Sequence, residues 1–226
     1  MKKLIPVTAL LALLALPAHA IGGFKVPSLG GDKPAEATPA ATTGDSAAMQ
    51  EAVVQKYKAA SIKILTAQSL LAKAYGLKEE AAALEAQVTV LGSGATLDKD
   101  TMVKTQKLSE DAEKKREELA AKGVVLTEGG NEFYKQSLSP FAQGVLLTAL
   151  MPPDVTAFGN SAQAQIKNAP LTEKLGVTNK LAAGLYLVKE LPGYSARMYQ
   201  SMKSVLTYAQ KSGIEVPADA TAALKD

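Results

Sequence analysis

Apolar residues recur every three or four positions over most of this chain, and this spacing constrains its fold more than any other feature. Between Val54 and Tyr75 they fall on one side of a helix. A second stripe consists of Leu77, Ala81, Leu84, Val88 and Leu91. Gly76 lies between the stripes, favours a helix stop, and leaves a connection of only a residue or two. The pattern therefore predicts a long antiparallel helical hairpin.

A third helical segment, from Asp98 to Lys122, is charged rather than apolar. Four acid–lysine pairs at i,i+4 spacing support a helix here: Asp100 with Lys104, Glu110 with Lys114, Asp111 with Lys115 and Glu118 with Lys122. The apolar stripe of this segment is thin, so we expect the helix to lie mostly in water. The run from Glu110 to Glu118 is expected to be a solvated face.

From Gly129-Gly130 onward the chain is more apolar, and prolines divide it into shorter predicted helices. Ser139-Pro140 is expected to begin one helix and Pro152-Pro153 another, which Pro170 closes. Pro192-Gly193 is expected to turn the chain between two further helices, Leu171 to Leu191 and Tyr194 to Ser212. No long stretch alternates with period two, so a sheet is not expected. The predicted fold is all-α, with the hairpin and charged third helix packed with a bundle of shorter helices punctuated by Pro and Gly.

The first 20 residues predict export. Residues 1–20 combine two lysines, an apolar run from Leu4 to Leu16, and small residues at Ala18 and Ala20, the pattern of a cleaved signal peptide. The apolar run is short of the roughly 20 residues that span a bilayer, which favours cleavage over a membrane anchor. We therefore expect a protein of the bacterial periplasm, or a secreted one, with no transmembrane span after cleavage.

Residues 21–45 are rich in Gly, Pro, Ala and Thr, and we expect them to form a flexible tether. This tether contains an apolar cluster with Phe24, Val26 and Leu29. The cluster either lies back on the domain surface or forms a docking segment for a partner. The rest of the chain divides near Gly129-Gly130 into an N-terminal helical half, 46–128, and a C-terminal apolar half, 129–226, in one domain or two.

The catalytic residue types are depleted. The only histidine, His19, lies in the predicted signal peptide, and the chain has no Cys or Trp. The mature protein therefore lacks Ser-His-Asp and Cys-His nucleophiles, ordinary zinc ligands, disulfides and haem ligands. No Walker or EF-hand motif is present, so we expect no cofactor and no metal. Paired carboxylates could serve a hydrolase, but the acids are expected to spread along solvated helix faces.

The charge balance argues against nucleic acid as a partner. Removing Lys2 and Lys3 from 25 basic residues leaves 23, against 22 acidic residues. The only arginines are Arg116 and Arg197. Nucleic-acid readers normally carry a basic stripe with several arginines that contact phosphates and base edges.

Aromatic and methionine side chains concentrate in the C-terminal half. Six of them define a candidate apolar groove: Phe141, Val145, Tyr186, Tyr194, Met198 and Met202. The last long helix is either a central core helix or one wall of a cavity for an apolar ligand. Gly144 and Gly184 fall inside helices, where they indicate close helix crossings.

These features predict a non-enzymatic exported binding or scaffold protein that acts through its helix faces. Its partner would be an envelope protein or a second copy of the chain. The alternative is a carrier of a lipid or another apolar small molecule in the Tyr/Met-rich C-terminal half.

Overall fold

Eight helices contain most of the residues that the computed structural model describes, which are 43–94 and 96–224. They are α1 (Thr43–Ala74), α2 (Lys78–Gly92), α3 (Lys99–Ala121), α4 (Glu128–Ala149), α5 (Pro152–Asn168), α6 (Lys174–Lys180), α7 (Ala182–Lys211) and α8 (Ala218–Ala222). These residues include no strand, and the fold is all-α as predicted. The predicted signal peptide, most of the tether, and Phe24, Val26 and Leu29 lie outside the described residues.

The predicted hairpin is present as α1 and α2. Gly76 ends α1 with a positive φ of 73°, and the Leu77 N–H donates to the Ala72 carbonyl at 2.8 Å, which closes the helix end. Lys73 of α1 forms an ion pair with Glu85 of α2. None of the described helices combines the length and the apolar character needed to cross a membrane.

Helix α1 is the central element. It packs against α2, α3, α4, α5 and α7, and most extensively against α4. A Cβ added to Gly144 of α4 would lie 2.5 Å from Ile64 Cγ1 and 3.2 Å from the Ala60 carbonyl oxygen, both on α1. A Cβ on Gly184 would lie 2.5 Å from the Phe158 ring. Both glycines therefore mark close helix crossings, as predicted.

Two prolines predicted to begin or separate helices lie inside continuous ones. Helix α4 runs through Pro140, and α7 runs through Pro192. An interior proline costs about 3 kcal/mol relative to alanine. On both sides of Pro192 the apolar residues lie on one buried face, from Leu187 to Met198, while Pro192 itself is exposed. Burial of that face keeps the helix continuous.

The predicted helix from Leu171 to Leu191 is divided in the structure. The short helix α6 ends at Lys180, and α7 begins at Ala182. At the predicted boundary between the two halves, Gly129 and Gly130 both lie in the first turn of α4. The Thr127 hydroxyl accepts a hydrogen bond from the Gly130 N–H at 3.0 Å and caps this helix. Helices from before and after this point pack together in one unit, Ala40–Asp226.

Candidate functional site

Helix α3 packs on the bundle with a polar face. Its buried residues are Met102, Thr105, Gln106, Ser109, Ala112, Glu113 and Arg116. They recur every three or four positions, the spacing that apolar residues occupy on most buried helix faces. The prediction that the run from Glu110 to Glu118 is a solvated face is therefore wrong for Glu113 and Arg116. The sequence does contain a signal for this buried face. Polar residues continue from Met102 along α3 at intervals of three and four positions.

The charged side chains of α3 pair mainly with other helices. Glu110 pairs with Arg197 of α7, and Lys115 pairs with Glu80 of α2. The Lys115 ammonium lowers the pKa of Glu80 through a hydrogen bond. Glu110 and Lys115, for which the spacing predicts partners within α3, thus pair with neighbouring helices and hold α3 against them.

The two arginines of the chain meet at the contact between α3 and α7. A cleft of about 270 Å³ opens there, and we call it the arginine cleft. It is lined by Glu110, Glu113, Lys114, Glu117, Arg197, Gln200 and Ser201. Arg116 is buried beside it, with its Nη2 3.4 Å from the Ser201 Oγ and 3.3 Å from a Glu117 carboxylate oxygen. The fold therefore brings both guanidinium groups to one place.

Arg197 is only partly paired. Its Nη1 donates to Glu110, and its guanidinium lies 5.5 Å from the centre of the Tyr194 ring. Its Nε and Nη2 are buried and find no hydrogen-bond partner among the described protein groups. Because these two nitrogens are buried, the part of Arg197 that the cleft exposes lies elsewhere on its side chain, which is 35% exposed.

Glu113 is the buried acid of the cleft, with 7% of its surface exposed. Its Oε2 lies 3.9 Å from Arg197 Nε, too far for a hydrogen bond, and its Oε1 has no partner among the described groups. Burial raises the pKa of Glu113, while the Ser201 hydroxyl and the Arg116 guanidinium oppose the shift in part. Glu113 and Arg197 therefore form an ion pair without a hydrogen bond between them.

A small cavity lies behind the cleft. It is lined by Gln68, Leu71, Ala112, Glu113, Arg116 and Ser201, and its volume of about 10 Å³ is roughly what one water molecule needs. Gln68 of α1 is buried there, and neither its amide nitrogen nor its oxygen has a partner among the described groups. Glu113 and Ser201 line both the cleft and the cavity.

The polar layer continues under α3 toward its N-terminus. Tyr57 of α1 and Tyr194 of α7 lie with ring centres 5.8 Å apart. Burial raises the pKa of Tyr57 to about 12, although Gln106 and Ser61 are near enough to oppose the shift. The Tyr186 hydroxyl donates to Gln106 Oε1 at 2.6 Å. The interface between α3, α1 and α7 is thus polar over most of its length.

The structure places most of the candidate apolar groove in the core. Five of its residues are buried: Phe141, Val145, Tyr194, Met198 and Met202. Tyr186 is half-buried and lines a separate surface cleft with Leu185 and Lys189. A ligand that reached the five buried side chains would have to displace core packing.

Within residues 43–94 and 96–224, no group of three or more His, Cys, Asp or Glu side chains is arranged to hold a metal ion. The chain matches no protein-family model, no curated protein and no solved structure. The chemistry of the arginine cleft is therefore the guide to function.

Proposed function

We propose that this protein is a non-enzymatic, exported helical binding protein and that the arginine cleft contacts its ligand. The predicted signal peptide supports export. The lack of Cys, and of His after residue 19, supports a non-enzymatic role. The second part, ligand contact, is carried by one observation, the cleft in which the partly exposed Arg197 side chain lies among charged groups of both signs.

The size of the cleft limits what can enter. About 270 Å³ admits a small molecule, or one side chain or terminus of a protein partner. The proposal therefore includes an envelope protein that inserts a single group into the cleft. A lipid chain fits this site poorly, because the lining is dominated by charged and amide side chains.

A second candidate function is hydrolysis by paired carboxylates. It is favoured because Glu110 and Glu113 both contact Arg197, so two acids meet in one cleft, contrary to the sequence-based expectation. Glu113 would be the proton donor, since burial favours its protonated form. However, the Arg197 guanidinium contacts both acids and competes with a substrate for the space between them. This arrangement favours ligand binding over hydrolysis.

The chain's two arginines allow a sharp test of ligand binding. In ¹⁵N-labelled mature protein, the two Nε–H signals are assigned with the variants Arg116→Lys and Arg197→Lys. A panel of amino acids, carboxylates, amines, sugars and inorganic phosphate is then titrated. We expect at least one compound to shift the Arg197 signal, and Arg197→Lys to weaken its binding about tenfold or more.

Lys203→Gln serves as the matched control, because Lys203 is an exposed cation of α7 outside the cleft lining. This variant should bind as the wild type does. A panel in which no compound moves either signal would contradict the proposal. Turnover of a peptide or glycoside substrate that Glu113→Gln abolishes would establish the hydrolase instead.

A further inference from the structure

We propose that the turn between α5 and α6 docks on the surface of an anionic lipid bilayer. Leu171 and Leu175, which we call the leucine tip, would insert between the lipid headgroups, and the lysines around them would contact the lipid phosphates. This inference goes beyond the proposed ligand binding, because the arginine cleft lies between α3 and α7 and shares none of these residues.

The leucine tip is unusually exposed. Leu171 is 86% exposed and Leu175 is 72% exposed, so they are two of the three most exposed large apolar side chains among the described residues. Two leucines left in water forgo the stabilisation that their burial would give. Neighbouring exposed apolar side chains with a polar surround are typical of a contact with a protein or a membrane.

The two leucines lie on one face of the turn. The Lys174 N–H donates to the Pro170 carbonyl at 3.1 Å, so the chain is already helical here. Residues 171 and 175 are four positions apart, which places them one turn apart on the same side. Val177, on another side of α6, packs against the core. The leucine tip therefore faces away from the bundle.

The bundle holds this turn in a fixed position, although α6 has no buried residue. Gln50 of α1 contacts the end of α6 with both of its side-chain polar atoms. Its Nε2 donates to the Lys180 carbonyl at 3.0 Å, and its Oε1 accepts from the Gly184 N–H at 3.0 Å. At the other end, Pro170 restricts the backbone. Because the tip is held by ordered structure, less entropy is lost on docking.

The charges around the leucine tip are mainly positive. Lys167, Lys174 and Lys180 lie within five positions of it along the chain, against one acid, Glu173. None of the three lysines forms an ion pair with another described residue. A lysine near an anionic bilayer strengthens binding about fivefold. The charge of this surface therefore complements that of anionic lipid headgroups.

The shape of the tip favours a bilayer over a protein partner. Because so little of either leucine is covered, the tip protrudes and is not enclosed by a groove. A bilayer accepts a protruding apolar group between its headgroups, whereas a protein would need a pocket that matches it. We therefore expect a lipid surface as the partner, and the experiment separates it from a second copy of the chain.

Sedimentation with lipid vesicles tests this docking. Residues 21–226, the chain without the predicted signal peptide, are mixed with vesicles of phosphatidylcholine alone, or of phosphatidylcholine and phosphatidylglycerol in equal amounts. At physiological salt, binding to the anionic vesicles should be at least about tenfold stronger than to the neutral ones. The double variant Leu171→Ser/Leu175→Ser should lower binding to the anionic vesicles about tenfold or more.

A matched pair of leucines on α4 controls for the apolar part. Leu146 and Leu150 are 50% and 63% exposed and have the same spacing, but residues 141–155 contain no lysine. Leu146→Ser/Leu150→Ser should therefore bind the anionic vesicles as the wild type does. Circular dichroism shows that each variant is folded.

The charged part has its own control. The triple variant Lys167→Gln/Lys174→Gln/Lys180→Gln should lower binding about tenfold or more. Removing the same charge from exposed lysines of α1 and α7 should lower binding less than about threefold, because those charges are far from the docked surface. That control variant is Lys63→Gln/Lys203→Gln/Lys211→Gln.

Other results would overturn the inference. Equal binding to neutral and anionic vesicles would exclude the role of the lysines. Binding that survives the substitutions at the leucine tip would mean that other charges, or the tether, attach the protein. If no vesicle binds and the leucine substitutions instead convert a dimer to a monomer in analytical ultracentrifugation, the tip is a contact between copies. None of these results bears on the arginine cleft, which is tested with small molecules.

Discussion

At the residue scale, charge did not decide which side chains of α3 are exposed. Glu113 and Arg116 are buried, while the apolar Val103 of the same helix is 43% exposed. Burial of a charge is tolerated where partners neutralise it, and Arg116, Arg197 and Ser201 surround Glu113. The position of a residue on the inward stripe mattered more than its type.

The burial of Glu113 predicts a pH dependence of stability. Because the folded chain raises the pKa of this carboxyl above the ordinary value of 4.5, the folded state keeps its proton to higher pH than the unfolded state. Between the two pKa values the folded state binds more protons, so the contribution of Glu113 to stability falls as the pH rises. The variant Glu113→Gln lacks this group. Its free energy of unfolding, relative to wild type, should rise as the pH increases above about 4.5, the ordinary pKa of the carboxyl.

Urea unfolding followed by circular dichroism at several pH values measures this difference. Glu117→Gln is the matched control, because Glu117 is an exposed acid of the same cleft. Its difference from wild type should change less over the same range. A Glu113→Gln difference that is constant with pH would mean that the folded state does not perturb this carboxyl.

At the element scale, the prolines show that a local breaker does not always end a helix. Pro152 is at the start of α5, where a proline lacks only an N–H that would have no partner in the helix. Pro192 is inside α7, where its ring disturbs the preceding turn. Proline therefore lowers the stability of the fold more at position 192 than at position 152.

The variant Pro192→Ala should stabilise the protein by about 1–3 kcal/mol, because alanine restores the regular turn in the interior of α7. Pro152→Ala should change the free energy of unfolding by less than about 0.5 kcal/mol. Urea unfolding of both variants compares them directly. A neutral Pro192→Ala would support the interpretation from sequence, in which the chain turns at this residue.

At the scale of the whole molecule, the crossing of α1 and α4 organises the core. Gly144 lets the two backbones approach so closely that a side chain on it would meet Ile64 and the Ala60 carbonyl. At the far ends of the helices, the rings of Tyr75, Tyr134 and Tyr208 lie 5.0–6.3 Å apart and join α1, α4 and α7. Burial raises the pKa of Tyr75 to about 12. The core thus combines one close crossing with one aromatic cluster.

The variant Gly144→Ala should therefore destabilise the protein by about 1–3 kcal/mol, because the backbone of α1 cannot move away freely. Gly193→Ala is the matched control within α7. No heavy atom lies within 4 Å of its added Cβ, so it should stabilise the protein by about 0.5–1 kcal/mol. Thermal and urea unfolding check both. Equal effects of the two substitutions would contradict the close crossing.

The site was less predictable from sequence than the fold. Arg116 and Ser201 are 85 positions apart, and no local pattern indicates that they meet. The spacing of the polar residues in α3 indicates a buried face. It does not indicate which other helices pack against that face. The aromatic and methionine residues of α7 left open a central core helix or one wall of a cavity, and Met198 and Met202 are buried in the core.

The sequence by itself determined the helical class and most helix ends. A helix is stabilised by hydrogen bonds between each residue and the fourth residue before it. Gly76, Gly123 and Gly213 end helices by adopting a positive φ. Helix formation and helix ending therefore both depend on residues that are close in the sequence. Only the tertiary structure decided which face of α3 is buried, whether α4 and α7 continue through their prolines, and where the two arginines meet. Those outcomes depend on burial against distant segments, which outweighs local preference.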